Sequence, residues 1–426
     1  MPGHKGKGSG ILKSVYKYDV TELSATDNLA APYGAIMSAE NDLAKCLGAK
    51  KSFILTGGST LGIFAMLYAV SGKGNKIIIE KSSHKSVFNA LKLFNIEPVF
   101  LPQKIVNGLN EINVEDIDKL CDNGVIGALL TSPDYFGRVK KLKEAALILH
   151  RKNKFLLVDG AHGAHLKFTS PELYCGNFAD AWVDGAHKTL KTLTMGALLN
   201  VNNQSLTEKI REGLNIFASS SPSFLIAASV EDGVKDFSEI PQEVFERFYK
   251  LSDYVIKNVK KDYCVIQSDD KLKLCFDLKN RADARRVGEF LEKRGIFPEL
   301  SEGRFLIFIL SPHFSAKQAN YLVKALNDYD RFTDGNQTKD DIFDINLQRK
   351  TSYLSASSSD NQCEYVDLPY ALNRIAAANA GFFPPCYPLI TCGEVFDNRV
   401  IAALSGKNTF GVEGGKVKVL KNGNDT

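Results

Sequence analysis

Two short stretches about thirty residues apart carry the side chains best suited to chemistry. Asp159 is followed by Gly160, Ala161, His162, Gly163, Ala164 and His165, and Asp184, Gly185 and Ala186 lead into His187, Lys188 and Thr189. Each set follows an apolar run, residues 155–158 in the first case and 179–183 in the second, so each reads as a buried strand ending on a carboxylate. An Asp at one strand end and a His-Lys pair at the next suit pyridoxal phosphate, which needs a carboxylate at its ring nitrogen and an amine at its aldehyde. Simpler readings use the same residues. Asp159 can cap a helix, and Lys188 can be a solvated lysine. Asp159, His162 and His165 can ligate zinc, provided a helix starts at Asp159 and brings them to one face.

Other elements must position these groups. A strand at residues 52–55 runs into Thr56, Gly57, Gly58, Ser59, Thr60, Leu61 and Gly62, and an apolar helix over 63–70 follows. Free amides at the helix start, its positive dipole end and the glycines make an anion cradle. The turn lacks the lysine of a nucleoside-triphosphate loop and the spacing of a dinucleotide fold, and it also reads as an ordinary tight turn with a hydroxyl cap. A strand over 76–80 then leads to Ser82, Ser83, His84, Lys85 and Ser86. His84 is either an ordinary surface histidine or an aromatic face for a cofactor ring. A strand at 97–101, a helix near 114–121 and a strand at 125–130 ending in Thr131, Ser132, Pro133 and Asp134 continue the alternation. Alternating strands and helices predict a parallel sheet covered on both faces, with ligands at the carboxyl ends of its strands.

Composition narrows the classes. The 426 residues exceed one compact core, and 44% apolar with 24% charged residues is ordinary for a globular protein. No apolar run nears the ~18 residues of a membrane span, and no signal peptide opens the chain, which points to the cytoplasm. The eight cysteines show no C-x-x-C spacing and read as reduced thiols. A net charge of +4, spread along the chain, gives no basic stripe for nucleic acid.

Eight motifs occur in one order: Pro2-Gly3-His4-Lys5-Gly6, Asp19-Val20-Thr21-Glu22, Gly58-Ser59-Thr60, Ser83-His84-Lys85-Ser86, Thr131-Ser132-Pro133, residues 159–165, His187-Lys188-Thr189 and Ser221-Pro222-Ser223. Together they resemble the ornithine/lysine/arginine decarboxylase family, in its short form without an N-terminal wing domain. The resemblance covers residues 1 to about 230, with a weaker echo beyond. It implies an α/β, aminotransferase-like (fold type I) large domain with a mostly parallel sheet, plus a smaller α+β C-terminal part. The expected boundaries are 1–250 for the large domain, 251–330 for a small α+β domain, 331–361 for a polar linker and 362–426 for a C-terminal decarboxylase-type region.

The resemblance also implies roles. Lys188 would carry pyridoxal 5'-phosphate as a Schiff base, Asp159 would pair with the ring nitrogen, and His84 and Ala161 would cover the ring's two faces. Gly58, Ser59 and Thr60 would hold the phosphate with help from His187, and Ser132 and His162 would line the ring near its hydroxyl. Ser221 would reach the phosphate of a neighbouring subunit, which implies a homodimer with shared sites. The implied reaction is decarboxylation of lysine, ornithine or arginine, with a proton returned by Lys188 or His84. Glu22, Asp27, Glu299 and Glu394 are candidates to meet a cationic substrate tail, although a carboxylate is more often simply solvated. Three departures from the family pattern stand out: the first motif begins at Met1, Asp184-Gly185-Ala186 stands where hydroxyl residues are usual, and Asp134 replaces a commoner Thr. The rival readings are another reaction of the same cofactor, such as transamination or carbon-carbon cleavage, and a metal-dependent hydrolase built on Asp159, His162 and His165.

Overall fold

Residues 1–279, 281–332, 362–383, 386–406 and 408–421 are described by the computed structural model. Most of the expected polar linker and the Pro384-Pro385 pair lie outside the described residues. The chain divides into two compact units, one of Met1–Asn75, Cys121–Asp134 and Val139–Ile240, the other of Lys76–Leu120, Tyr135–Arg138 and Pro241–Thr426.

Five strands form the frame of the first unit, in the order Lys51–Leu55, Ala197–Val201, Ala181–Asp184, Phe155–Gly160, Val125–Thr131. The last three are mutually parallel, with Thr131 opposite Asp159 and Gly160 opposite Asp184. Their residues are buried almost without exception, which explains why they read as continuous apolar runs rather than alternating ones. Ala197–Val201 runs against both neighbours. The connection from Asp184 holds only the four-residue helix Ala186–Thr189, too short to cover the sheet as a parallel crossover helix does.

The helix Gly58–Val70 lies against this sheet and is apolar nearly all round. It begins at Gly58 rather than at Ile63, since the hydroxyl-bearing first turn carries no apolar signal. Gly62 allows the close approach: a side-chain carbon there would stand 2.4 Å from Val183 Cγ1 and 2.9 Å from Leu55 Cδ1. The start of the helix is thereby drawn to the end of the strand that leads into His187 and Lys188.

Asp27 anchors the helix Ala35–Leu47. It sits in the left-handed backbone region (φ 67°), is 3% exposed, and accepts N–H groups from Asn28, Tyr33, Gly34, Ile36 and Met37 at 2.7–3.4 Å. That helix has no side-chain cap at Gly34, so Asp27 satisfies its orphan donors from outside. Burial opposes the charge, but the amides of Tyr33, Asn28, Gly34 and Ile36 outweigh it and hold the carboxyl at about 2, below its ordinary 3.8. The stabilisation is therefore present above about 3.8 and is lost as pH falls through 2. Asp27→Asn tolerates the backbone but loses the charge; it is expected to cost about 1–3 kcal/mol at neutral pH. Thermal melts from pH 2 to 6 should show the variant losing part of the acid dependence.

In the second unit Lys76–Ile79 and Glu97–Phe100 pair in parallel, and Gln103–Val106 forms a hairpin with Leu109–Ile112. The hairpin turns on Asn107 and Gly108, both at positive φ (55° and 77°). An Asn-Gly pair is the residue choice for such a two-residue turn, so the signal was present where a plain connection to the next helix is expected. An antiparallel sheet follows, ordered Cys264–Ile266, Lys273–Asp277, Phe305–Ile309, Leu300–Glu302, with the helices Gln242–Asn258, Ala284–Glu292 and Ala316–Asp328. This is the expected α+β arrangement. The C-terminal region has its own core, including Leu368, Phe382, Leu389, Phe396, Val400 and Val417. No helix among the described residues is long and apolar enough to cross a membrane.

Candidate active site

The parallel strands of the first unit bring most of the singled-out residues to one edge. Asp159 is 4% exposed at the end of Phe155–Gly160, and its Oδ1 accepts the Ala161 N–H at 3.1 Å. Its carbonyl accepts the Ser132 N–H at 3.0 Å, and Ser132 Oγ in turn accepts the Lys140 N–H at 3.1 Å. Ser132 therefore stands beside Asp159, buried and fixed.

Lys188 lies on the short helix Ala186–Thr189, which starts directly after the strand Ala181–Asp184. Its Nζ is 3.1 Å from His162 Nε2. An ammonium here donates to an unprotonated Nε2, whereas a neutral amine can accept the Nε2–H. His162 is 8% exposed, and Lys188 is half-buried. His187 is turned the other way: its backbone N–H and its Nδ1 both meet the Gly196 carbonyl, at 3.0 and 2.9 Å. Nδ1 must then carry the proton, which leaves Nε2 free to accept or to take up a second proton.

The glycine turn completes the edge. Gly57 precedes the helix Gly58–Val70 without any side-chain cap, and Gly58 has φ 72° with open space where a side chain would project. The Gly58 N–H is taken by the Met195 carbonyl at 2.8 Å. The following amides remain for an anion. Ser59 Oγ is buried and has no hydrogen-bond partner among the described residues, while Thr60 is exposed. A side-chain carbon on Gly185 would stand 2.4 Å from the Ala161 carbonyl oxygen and 3.1 Å from Ser59 Oγ. The turn, Ala161 and the approach to Lys188 thus meet around Gly185.

Ser221 is exposed on a turn where its N–H donates to Ser219 Oγ at 3.1 Å and its carbonyl accepts the Ser219 hydroxyl at 3.5 Å. His84 belongs to the second unit. It begins the helix Lys85–Leu93, where its Nδ1 accepts the Ser86 N–H at 3.2 Å and lies 2.7 Å from Ser86 Oγ. Among the described residues no three His, Cys, Asp or Glu side chains group as metal ligands. Asp159, His162 and His165 do not come together as a zinc site, because the strand continues through Gly160 and no helix starts at Asp159.

Two of the carboxylates considered for a cationic substrate tail are committed elsewhere. Asp27 serves the helix start described above, and Glu394 is buried against Lys81 at 2.6 Å. Glu22 accepts the Thr21 hydroxyl at 2.5 Å, and Glu299 is exposed and accepts the Tyr135 hydroxyl at 2.7 Å.

Sequence reasoning missed the role of Asp184. It is fully buried, and its Oδ2 accepts from Tyr174 Oη (2.6 Å), Trp182 Nε1 (3.0 Å) and Asn200 Nδ2 (2.9 Å). Burial pushes its carboxyl up to about 7, against the pull of the Tyr174 and Trp182 donors, His165 and Asn200. An acid whose pKa rises on folding favours the folded state fully below its ordinary 3.8, and that contribution is lost as pH rises through about 7. Asp184→Asn is expected to flatten the fall in melting temperature between pH 4 and 8. Differential scanning calorimetry across that range checks it. The only advance signal was a carboxylate at the end of an apolar strand with Tyr174 and Trp182 nearby in sequence.

The family described as Orn/Lys/Arg decarboxylase, major domain, matches residues 11–265, more than half of the chain. A Bacillus subtilis protein named uncharacterized protein YaaO is 28% identical over 437 residues, spanning 95% of this chain and 90% of its own length. An arginine decarboxylase of the same organism is 27% identical over 435 residues, 94% of this chain and 88% of its own. The constitutive lysine decarboxylase of Escherichia coli superposes with a TM-score of 0.75 at 17% identity, over 96% of this chain and 76% of that one. This last likeness shows the α/β, aminotransferase-like fold. With the family match spanning most of the strands and turns described above, the chain belongs to the ornithine/lysine/arginine decarboxylase family of carboxy-lyases.

Proposed function

We propose that this protein removes carbon dioxide from a basic amino acid, arginine, lysine or ornithine, with pyridoxal phosphate as its cofactor. The observation that carries the reading is the placing of Lys188 Nζ on His162 Nε2, in the same unit as a buried, fixed Asp159 and an uncapped helix start. The residues present fit the group. A phosphate needs donors without a competing partner, which the buried Ser59 hydroxyl and the amides after Gly58 supply. A pyridine nitrogen that must stay protonated needs a carboxylate, which Asp159 supplies. When bound, the cofactor offers an aldehyde to amines and a ring that accepts the electron pair left by departing carbon dioxide.

The chain's own groups do the rest. Lys188 would hold the cofactor through its amine and, once free, would carry a proton at Nζ. His162 Nε2 hydrogen-bonds that amine and orients it. Asp159 is held in place, because the Ala161 N–H fixes one oxygen. Ser132 and Ala161 are buried at the same edge and exclude water from it. His187, with its proton on Nδ1, offers Nε2 to a phosphate that carries a proton or donates its own second proton. The reading includes a homodimer in which the exposed Ser221 meets the phosphate of a second copy.

A panel of arginine, lysine and ornithine, each supplied to protein loaded with the cofactor, tests the reading. Carbon dioxide and the matching amine are expected from one of the three. A keto acid in their place would assign transamination, and no turnover of any of them would overturn the proposal.

A further inference from the structure

The turn that carries His84 is held at both ends by the C-terminal region, and both belong to the second unit. Three residues before His84, Lys81 Nζ meets Glu394 Oε1 at 2.6 Å, with side chains 4% and 1% exposed. Glu394 is itself fixed: its Oε2 accepts the Thr391 N–H at 2.8 Å, and its carbonyl accepts the Ala376 N–H at 2.7 Å. One residue after His84, the Lys85 N–H donates to the Cys386 carbonyl at 2.8 Å. The Lys85 ammonium lies over the rings of Phe383 and Phe410, 4.2 and 5.2 Å from their centres. Between these grips the Ser83 N–H closes on the Glu80 carbonyl at 3.1 Å, so the turn has little freedom of its own.

Burying two opposite charges costs desolvation that apolar side chains of similar size would avoid, so an ion pair here serves fixed geometry better than stability. We propose that Glu394 is a positioning residue: acting through Lys81, it sets where the His84 imidazole stands and keeps Nδ1 on the Ser86 amide. The significance of His84 rests on the function proposed above, together with the ring-facing role that the family resemblance implies for it.

Imidazole resonances of the cofactor-free protein test this. The chain has seven histidines, and His84→Ala identifies the His84 signal by its loss. Glu394→Gln is expected to shift that signal and leave the other six in place, and Lys81→Arg, which keeps the charge, is expected to retain it. An unchanged His84 signal in Glu394→Gln, or equal displacement of all seven, overturns the proposal. Should Glu394→Gln not fold, Lys81→Met removes the same ion pair from its other side, and an unmoved His84 signal there overturns the proposal equally. Protein that takes up no pyridoxal phosphate would refute the proposed function, while the resonance measurement would still decide this one.

Discussion

Lys188→Ala is expected to abolish turnover of every basic amino acid and the visible absorption that pyridoxal phosphate acquires when joined to a protein amine. The size of the loss follows from what the amine's placement is worth. A group held in reacting position acts as if present at about 10⁵ M or more, so its removal should lower kcat by at least about 10⁴-fold. Its neighbour His162 cannot substitute, since an imidazole ring offers no primary amine for the exchange. Added methylamine should restore a small part of the rate if the rest of the site is intact. Absorbance spectra and carbon dioxide release, measured on the same preparation, check the outcome, and retention of both in the variant would sink the assignment.

Asp159→Asn should produce the second largest effect. The carboxylate is buried at the strand end, held by the Ala161 N–H, with its carbonyl tied to Ser132, so the substitution changes charge with little change in shape. A neutral amide no longer favours a protonated ring nitrogen, and the ring loses much of its capacity to take up the electron pair. Removing one such fixed electrostatic contact costs on the order of 10²–10³ in kcat, because the interaction strengthens as charge develops in the transition state. Binding of the cofactor should persist, so spectral titration would show near-normal uptake beside the depressed rate. A rate within a few-fold of the parent would show that Asp159 only caps the strand end.

The legible parts of this protein were those whose signal is local. Apolar runs ending in Asp159 and in Asp184 gave two strands and their direction, and the hydroxyl-glycine turn gave a helix start with its amides outward. Motif order supplied the family. What could not be read depended on contacts distant in sequence. Asp27 looked like a charge available to a substrate, and only its five backbone donors show otherwise. Glu394 reads as a free acid until Lys81, 313 residues away, is found against it. Ala197–Val201 was hidden because direction in a sheet is decided by the length of a connection rather than by composition.

That reversed strand brings one more effect, through the two residues that precede it. The Met195 carbonyl takes the Gly58 N–H, and the Gly196 carbonyl takes both donors of His187. Met195 adopts φ 75°, and any side chain at Gly196 would run within 2.4 Å of Thr192. One dipeptide thus acts as a rivet through both the glycine turn at Gly58 and the short helix that carries Lys188. Loop grafts or insertions over 190–196 would therefore have to keep its register unchanged, which makes this the least forgiving place to redesign.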